Sequence, residues 1–335
     1  MLVHVAGAVP GAKRPPAMQD RHADAGGIGL FRSEFLYLKN ENLQLTGSFK
    51  IRGAYYKIST LFSEDKAKGV IACSAGNHAQ GVALAAKRNN VRSTIFIPSI
   101  APISKIEATK SYGADVRLID GVYDDAYAAA LKFQQNFGGV FVHPFDDVDI
   151  IAGQGTVAME ILEQLSDVDA VVVPIGGGGL ISGIATTIKS LKPDCKVYGV
   201  QPQNLPSMYT SFACNERTKL DYSYTFADGT AVKTPGEKIF PYIKENLDEI
   251  ITIPDGELIE AFLDMVENHK MIVENSGLLP VAACKHLDLE GKKITLYRKT
   301  PEGFFQPAYL AKAHFMTVTE MDDFWICVSS WGKRL

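Results

Sequence analysis

The sequence predicts an α/β fold with largely parallel sheets. From about Ile51 to Val200, strand-like and helix-like segments alternate along the chain. The strand-like segments, such as STIFIP and AVVVPIG, are continuous apolar runs, as expected when helices cover both faces of a sheet. A segment with helical periodicity follows most of these runs, and this order is typical of parallel strands.

The elements follow in a regular order. The predicted strands are EFLYLKN, GVIACS, STIFIP, DVRLI, VFVHP, AVVVPIG, KVYGVQP, EIITI and KKITLY. The predicted helices are one that opens at Lys50, then NHAQGVALAAKRN, ISKIEATKSYG, YDDAYAAALKFQQNF, GTVAMEILEQL, LISGIATTIKSL, DGELIEAFLDMVENH and GLLPVAACKHL. Residues 1–28 and 298–335 lack a clean period, and we expect them to be loosely ordered.

The amino-acid composition excludes several classes of function. The 335 residues are 46% hydrophobic and 21% charged, with a net charge of -4 and no basic run, so we expect no nucleic-acid partner. The five cysteines, Cys73, Cys195, Cys214, Cys284 and Cys327, lack CxxC spacing and predict neither a zinc site nor a disulfide framework. The apolar start has no basic segment before it, and no stretch is long enough to span a bilayer. We therefore expect a cytoplasmic protein.

Four consecutive glycines, Gly176 to Gly179, lie between the strand VVVPI and the helix LISGIATTIKSL. Unobstructed backbone N–H groups can converge on an anion there, and the positive end of the following helix adds to the attraction. No Gly-Lys-Ser/Thr follows, and Ile181 and Ser182 stand where a dinucleotide loop needs glycine. We predict a phosphate loop of another kind; a tight strand-to-helix turn is the alternative.

A second polar loop, Ser74-Ala75-Gly76-Asn77-His78, also joins a strand to a helix. Asn77 alone could be a helix cap, and His78 alone could be an ordinary hydrogen-bonded histidine. The N–H groups at such a helix start can also hold a carboxylate. Because a cap does not explain all of these residues together, we predict a carboxylate site.

Lys50 opens its predicted helix directly after Phe49. A solvated charge is the simplest interpretation of a lysine in this position. However, the helix dipole favours anions at this end, and a lysine held there away from water would have a lowered pKa and could act as a nucleophile or base. Together with the two loops, an activatable lysine suggests a phosphorylated aldehyde cofactor.

A family resemblance supports this interpretation. It is carried by ENLQLTGSFKIRGA, SAGNHAQGVA, HPFDD, IAGQGT, VPIGGGGLISGIA, VQPQNLPSM and FADGTAVKTPG. From about Tyr37 to Leu296 the chain closely resembles the pyridoxal-phosphate threonine/serine dehydratases of the tryptophan-synthase-β group (fold type II), which also contains serine racemase. The resemblance implies two three-layer α/β domains with parallel or mixed sheets. The large cofactor domain would be 1–60 and 148–335, and the small carboxylate-binding domain would be 61–147.

The same resemblance implies roles for individual residues. Lys50 would bond covalently to pyridoxal 5'-phosphate and later take the substrate's α-proton, while Phe49 would lie against the cofactor ring. The remaining cofactor contacts would come from Asn77 at the ring hydroxyl, Gly176, Gly177, Gly178 and Gly179 at the phosphate, Gly229 near the ring, and Glu274 near the active site. Ser74, Ala75, Gly76, Asn77 and His78 would bind the substrate carboxylate.

The implied reaction is β-elimination from L-threonine or L-serine. The β-hydroxyl would leave with a proton from the cofactor phosphate, and the released enamine would hydrolyse to 2-oxobutanoate or pyruvate and ammonia. Racemases of the group resemble the pattern SSGNH, whose second serine protonates the opposite face; here Ala75 takes its place, so we expect elimination. The alternatives are serine racemase, another β-elimination enzyme of the group, or a catalytically disabled member.

Three segments depart from the family pattern. GKKITLYRKTPEGFF replaces the Ser-Gly-Gly-Asn loop, whose serine bonds the pyridine nitrogen, and Thr300 could substitute for that serine. GIGLFRSEFLYL resembles a phosphoenolpyruvate-binding stretch of enzyme I of the bacterial sugar phosphotransferase system, with Arg32 at its phosphate-contacting arginine, but none of that enzyme's other motifs follow. No acidic residue immediately precedes FADG, so no divalent metal site is predicted; a monovalent ion held by carbonyls remains an alternative.

The resemblance also implies an assembly and a metabolic setting. Members of this family form homodimers or homotetramers. They act in isoleucine biosynthesis or in threonine catabolism.

Overall fold

Two parallel sheets organise the part of the chain that the structure describes. The computed structural model describes residues 36–287 and the backbone of a strand at 294–298. The strands are β1 (Leu36–Asn40), β2 (Val70–Cys73), β3 (Ser93–Pro98), β4 (Asp115–Ile119), β5 (Val140–Phe141), β6 (Ala170–Pro174), β7 (Lys196–Pro202), β8 (Glu249–Ile253) and β9 (Ile294–Arg298). Their orders are β1-β9-β6-β7-β8 and β4-β3-β2-β5, and every described pair is parallel. The predicted α/β class is confirmed.

Helices connect these strands. They are α1 (Lys50–Ser59), α2 (Ser63–Lys68), α3 (Asn77–Arg88), α4 (Ile103–Ser111), α5 (Tyr123–Phe137), α6 (Val148–Gln164), α7 (Gly179–Leu191), α8 (Ser207–Ala213), α9 (Phe240–Asn246), α10 (Asp255–Glu267) and α11 (Leu279–Ala283). Within the described ranges, no helix is both long and apolar enough to cross a membrane.

Most predicted elements are present, and two of them near the site differ in extent; helices α2, α8 and α9 were not predicted. Helix α6 begins at Val148, not at the predicted Gly155, because the Asp147 carboxylate caps it by accepting from the Asp149 and Ile150 N–H groups. The predicted strand VFVHP is only two residues long. The chain leaves the sheet after Phe141 and turns sharply at His143 to Asp147, which brings this segment to the edge of the sheet where the site lies.

Glycines allow α1 and α6 to pack closely. A methyl group added at Gly153 would lie 2.6 Å from the Gly53 Cα, and one added at Gly53 would lie 2.9 Å from the Ile150 carbonyl oxygen. Neither site tolerates a larger residue without movement of a backbone. The contact places the N-terminus of α1, which carries Lys50, against the start of α6.

A buried ion cluster also anchors α1. The five guanidinium N–H groups of Arg52 are shared among Glu41, Glu160 and the Thr156 hydroxyl, at 2.8–3.0 Å. Lys39 adds a 2.7 Å ion pair to Glu160. Burial alone would lower the pKa of Arg52, but the two carboxylates outweigh that effect and raise it. All of these charges are therefore compensated, and the first turn of α1 is tied to α6 and to the end of β1.

Both predicted loops lie at the carboxyl ends of parallel strands. The loop 74–78 follows β2, and the glycines 176–179 follow β6. In open α/β sheets, ligands bind in the crevice outside these strand ends. The second sheet is built from strands between Val70 and Phe141, but the division into domains at 61–147 remains a prediction, because the described residues group in one compact unit.

Candidate active site

A cleft of about 590 Å³ brings the predicted site residues together. Every predicted contact except Thr300 lines it, namely Phe49, Lys50, Ser74, Ala75, Gly76, Asn77, His78, Gly176, Gly177, Gly178, Gly179, Gly229 and Glu274. Thr300 lies outside the described residues, as do Arg32 and the segments 1–28 and 299–335. Five separate parts of the sequence therefore share one cavity.

Lys50 is the first residue of α1, and its side chain is only half-buried. Its Nζ donates a 2.6 Å hydrogen bond to the Pro144 carbonyl and lies 5.3 Å from the centroid of the Phe49 ring. Its backbone N–H donates to the Ser48 hydroxyl at 3.2 Å. The amine is thus directed into the cleft by its neighbours rather than into bulk solvent.

The glycine loop forms a cradle that side chains would fill. Gly178 has φ +104°, in the left-handed region that favours glycine, and α7 begins at Gly179. A methyl group at Gly177 would lie 2.5 Å from the Phe145 ring, and one at Gly179 would lie 2.8 Å from the Phe145 carbonyl oxygen. Only backbone can occupy this loop, which leaves its N–H groups and the positive end of α7 available to an anion.

The loop 74–78 presents Asn77 to the cleft. The Asn77 Nδ2 donates to the Glu274 Oε2 at 2.9 Å, while its buried Oδ1 has no hydrogen-bond partner among the described residues. The Ser74 hydroxyl accepts from the Gly76 N–H at 3.1 Å and so shapes the turn. An unpaired buried oxygen is costly unless a ligand supplies a donor.

The His78 side chain hydrogen-bonds to the segment that follows β5. It is buried, and its Nε2 lies 2.8 Å from the Val142 carbonyl. Burial and the charge of Lys50 lower the pKa of His78 to about 3. The ring is therefore neutral, and only the backbone N–H of His78 remains for the predicted role in carboxylate binding.

Sequence reasoning missed several residues that line the cleft. They include Cys73, Tyr123, Tyr127, His143 and Phe145. His143 and Phe145 belong to the motif HPFDD, so this motif was the signal in the sequence that could have identified them. Cys73 is not a nucleophile here, because burial and the nearby Asp124 raise the pKa of its thiol to about 12.

These residues fit pyridoxal phosphate. The cofactor carries a phosphate, an aldehyde and a ring hydroxyl, and the cleft offers a glycine cradle, a lysine amine and an unpaired Asn77 oxygen. Ser276 adds a second buried oxygen in the cleft with no hydrogen-bond partner in the described ranges. Phosphate at the cradle and covalent attachment at Lys50 would satisfy the two ends of one molecule.

Comparison with known proteins decides the family. Residues 27–297 match the model of the family described as pyridoxal-phosphate dependent enzyme. The chain belongs to this family. Like other pyridoxal-phosphate dependent enzymes, it therefore uses that cofactor, which confirms the cofactor predicted from Lys50 and the two loops.

Individual members of the family are also similar. The L-threonine ammonia-lyase of Thermotoga maritima is 50% identical over 262 residues, which cover 78% of this chain and 65% of that protein. The processed form of threonine deaminase isoform 2 from Solanum lycopersicum has a TM-score of 0.78 at 38% identity, covering 84% of this chain and 82% of that one. Maize serine racemase has a TM-score of 0.77 at 33% identity, covering 85% and 88%. These matches confirm the predicted resemblance and fold group.

Proposed function

We propose that this pyridoxal-phosphate dependent enzyme eliminates the β-hydroxyl of L-threonine or L-serine, yielding a 2-oxo acid and ammonia. The observation that carries the proposal is the placement of the Lys50 amine in one cleft with the glycine cradle and the Asn77 loop. The names of the Thermotoga and tomato relatives support the same reaction.

The residues divide the chemistry among them. When bound, pyridoxal phosphate supplies an electron sink for negative charge at the α-carbon of an amino acid. The backbone N–H groups of Gly176 to Gly179 hold the cofactor phosphate, and Asn77 and Glu274 orient the ring side of the site. Phe49, the buried residue that precedes Lys50, supplies an apolar surface for the cofactor ring.

Lys50 acts as the base in this proposal. Its Nζ takes the substrate's α-proton, which requires a neutral amine close to the reacting carbon. The backbone N–H groups of the loop 74–78 hold the carboxylate and so orient the α-carbon towards the amine. Closure of the proposed small domain, residues 61–147, excludes water from the cleft during the reaction.

Ala75 favours elimination over racemisation. It lines the cleft within the carboxylate loop, and its methyl group carries no exchangeable proton. Racemisation needs an acid on the face opposite Lys50, and this position offers none. Serine racemase activity is the second candidate, supported by the likeness to the maize enzyme.

The substitution Lys50→Ala tests the proposal. We expect it to abolish the visible-edge absorbance of bound cofactor and the release of 2-oxo acid, while circular dichroism remains that of the parent. Lys87→Ala, at an exposed lysine of α3, is the matched control and should retain both signals.

Assays of the parent protein separate the alternatives. Release of 2-oxo acid from threonine or serine supports elimination, whereas equally fast interconversion of L- and D-serine supports a racemase. An absorbance band that borohydride removes, without turnover of either substrate, indicates a catalytically disabled member.

We further propose a homodimer or homotetramer in the cytoplasm that acts in isoleucine biosynthesis or threonine catabolism. Family membership supports this assignment. Light scattering of the purified chain would measure the assembly, and a monomer would contradict that part of the proposal.

A further inference from the structure

The turn His143 to Asp147 contacts two parts of the cleft wall and the segment before α9. The Pro144 carbonyl accepts from the Lys50 Nζ at 2.6 Å. Phe145 lies beneath the glycine loop, so close that a methyl group at Gly177 would lie 2.5 Å from its ring. The Asp146 Oδ1 accepts from the backbone N–H of Lys238 at 2.8 Å. A shift of this turn would therefore move the amine and the floor of the cradle together.

His143 holds the turn from within. Its Nδ1 accepts from the Phe145 N–H at 3.2 Å and from the Asp146 N–H at 2.7 Å. Its ring packs edge-to-face on the Phe145 ring, with centroids 4.7 Å apart. A ring nitrogen that accepts two hydrogen bonds must be unprotonated, so the proton of the neutral ring is on Nε2.

We propose that His143 is a positioning residue, whose Nδ1 fixes the turn that aims Lys50 and supports the phosphate cradle. It acts through Pro144 and Phe145 rather than by contact with the reacting atoms. The inference deepens the proposed function, because the same cleft binds the cofactor. On this proposal, the histidine of HPFDD not only lines the cleft but also fixes the turn that follows it.

Burial supports the neutral form of the ring. Burial and the charge of Lys50 lower the pKa of His143 to about 4, although Asp146 acts in the opposite direction. At neutral pH the Nδ1 lone pair is therefore free to accept both N–H groups.

A pair of substitutions separates the two ring nitrogens. In His143→Asn the side-chain oxygen is the same number of bonds from the backbone as Nδ1, and asparagine commonly accepts from the N–H two residues on. In His143→Gln the oxygen takes the place of Nε2 instead. We expect the Asn variant to bind pyridoxal phosphate within about threefold of the parent, and the Gln variant at least about tenfold more weakly, a difference of about 1.4 kcal/mol.

The measurements use the full chain. Absorbance titration of cofactor-free protein with pyridoxal phosphate gives the dissociation constant. Amide hydrogen exchange of the 143–147 segment should be slow in the parent and the Asn variant and fast in the Gln variant. Equal impairment of both variants, no impairment of either, or better binding by Gln than by Asn overturns the proposal.

One measurement does not depend on the folding of a variant. Nitrogen-15 NMR of the histidine rings in the cofactor-free parent shows which ring nitrogen carries the proton. We expect an unprotonated Nδ1 at His143, and a proton on that nitrogen overturns the proposal. A parent that binds no pyridoxal phosphate would contradict the proposed function, while the NMR and exchange results would still decide the role of His143.

Discussion

The Asn77 side chain donates to the Glu274 carboxylate at 2.9 Å and joins residues that are 197 positions apart in the chain. The contact fixes which way the amide faces, and it leaves the buried Oδ1 without a partner among the described residues. A preset acceptor of this kind binds a ligand hydroxyl without first having to reorganise.

Loss of the Glu274 acceptor should weaken cofactor binding. Glu274→Ala frees the Asn77 amide to rotate, and a hydrogen bond to a charged group contributes about 1.5–3 kcal/mol, so we expect an increase in the pyridoxal-phosphate dissociation constant of about tenfold or more. Glu274→Gln keeps an oxygen acceptor and should stay closer to the parent. Absorbance titration measures both, and unchanged binding by the Ala variant would contradict this orientation role.

A methyl group in the glycine cradle, which we propose holds the phosphate, should also impair cofactor binding. Gly177→Ala places a carbon 2.5 Å from the Phe145 ring, so the ring or the loop must shift. We expect a loss of affinity of at least about tenfold, comparable to one lost charge-assisted hydrogen bond.

Gly256→Ala is the control for this substitution. Gly256 lies in α10 with nothing within 4 Å of an added methyl group, and alanine there should stabilise the helix by up to about 1 kcal/mol. The same titration compares the two variants, and equal affinity for pyridoxal phosphate in both would contradict the role of the glycine cradle in cofactor binding.

Introduction of an acid at position 75 should alter the reaction. Ala75→Ser adds a hydroxyl to the loop that we propose holds the carboxylate, and we expect it to deliver a proton to the α-carbon on the face opposite Lys50. We expect the variant to form D-serine from L-serine at a rate measurable by chiral chromatography, with slower release of pyruvate than in the parent. Absence of any D-serine would show that this position does not control the stereochemical outcome.

The Arg52 cluster should contribute strongly to stability. Arg52→Lys cannot supply five N–H groups in a plane and leaves the carboxylate of Glu41 only partly compensated, so we expect a loss of about 3 kcal/mol in the free energy of unfolding. Lys110→Gln removes an exposed ion pair with Glu107 and should cost less than about 0.5 kcal/mol. Urea denaturation measures both, and similar losses would refute the special role of the buried cluster.

Stability should fall as the pH is lowered from 7 to 5. The pKa of His143 is lowered to about 4 in the folded chain, so the unfolded chain binds more protons throughout this range and unfolding is favoured by acid. From the ordinary histidine pKa near 6.5, this one group should account for about 2 kcal/mol by pH 5. His78, with a pKa lowered to about 3, acts in the same direction.

His143→Asn should reduce this dependence on pH, because asparagine does not titrate. The readout is the slope of unfolding free energy against pH, not its absolute value. An unchanged slope would show that His143 binds protons equally in the folded and the unfolded chain. Glu160, whose pKa is lowered by Arg52 against the effect of burial, also favours unfolding in acid, but it is present in both the parent and the Asn variant and so cancels in their comparison.

Sequence alone determined the α/β class, the glycine loop after β6 and the start of α1 at Lys50. These features rest on short-range periodicity, on the special backbone freedom of glycine and on motifs in a fixed order. The predicted start of α6, at Gly155, was wrong, because the helix begins at Val148 and runs through both Gly153 and Gly155. Their true role is to let α1 and α7 approach α6, and that requires the neighbouring helices to be in place.

Only the tertiary structure decided which groups meet. Arg52 pairs with Glu160, a residue 108 positions away, and Asn77 pairs with Glu274. The neutral state of His143 depends on burial and on the N–H groups that converge on its Nδ1. No local pattern encodes these partners, because hydrogen bonds and desolvation act over a few ångströms in space, whatever the separation along the chain.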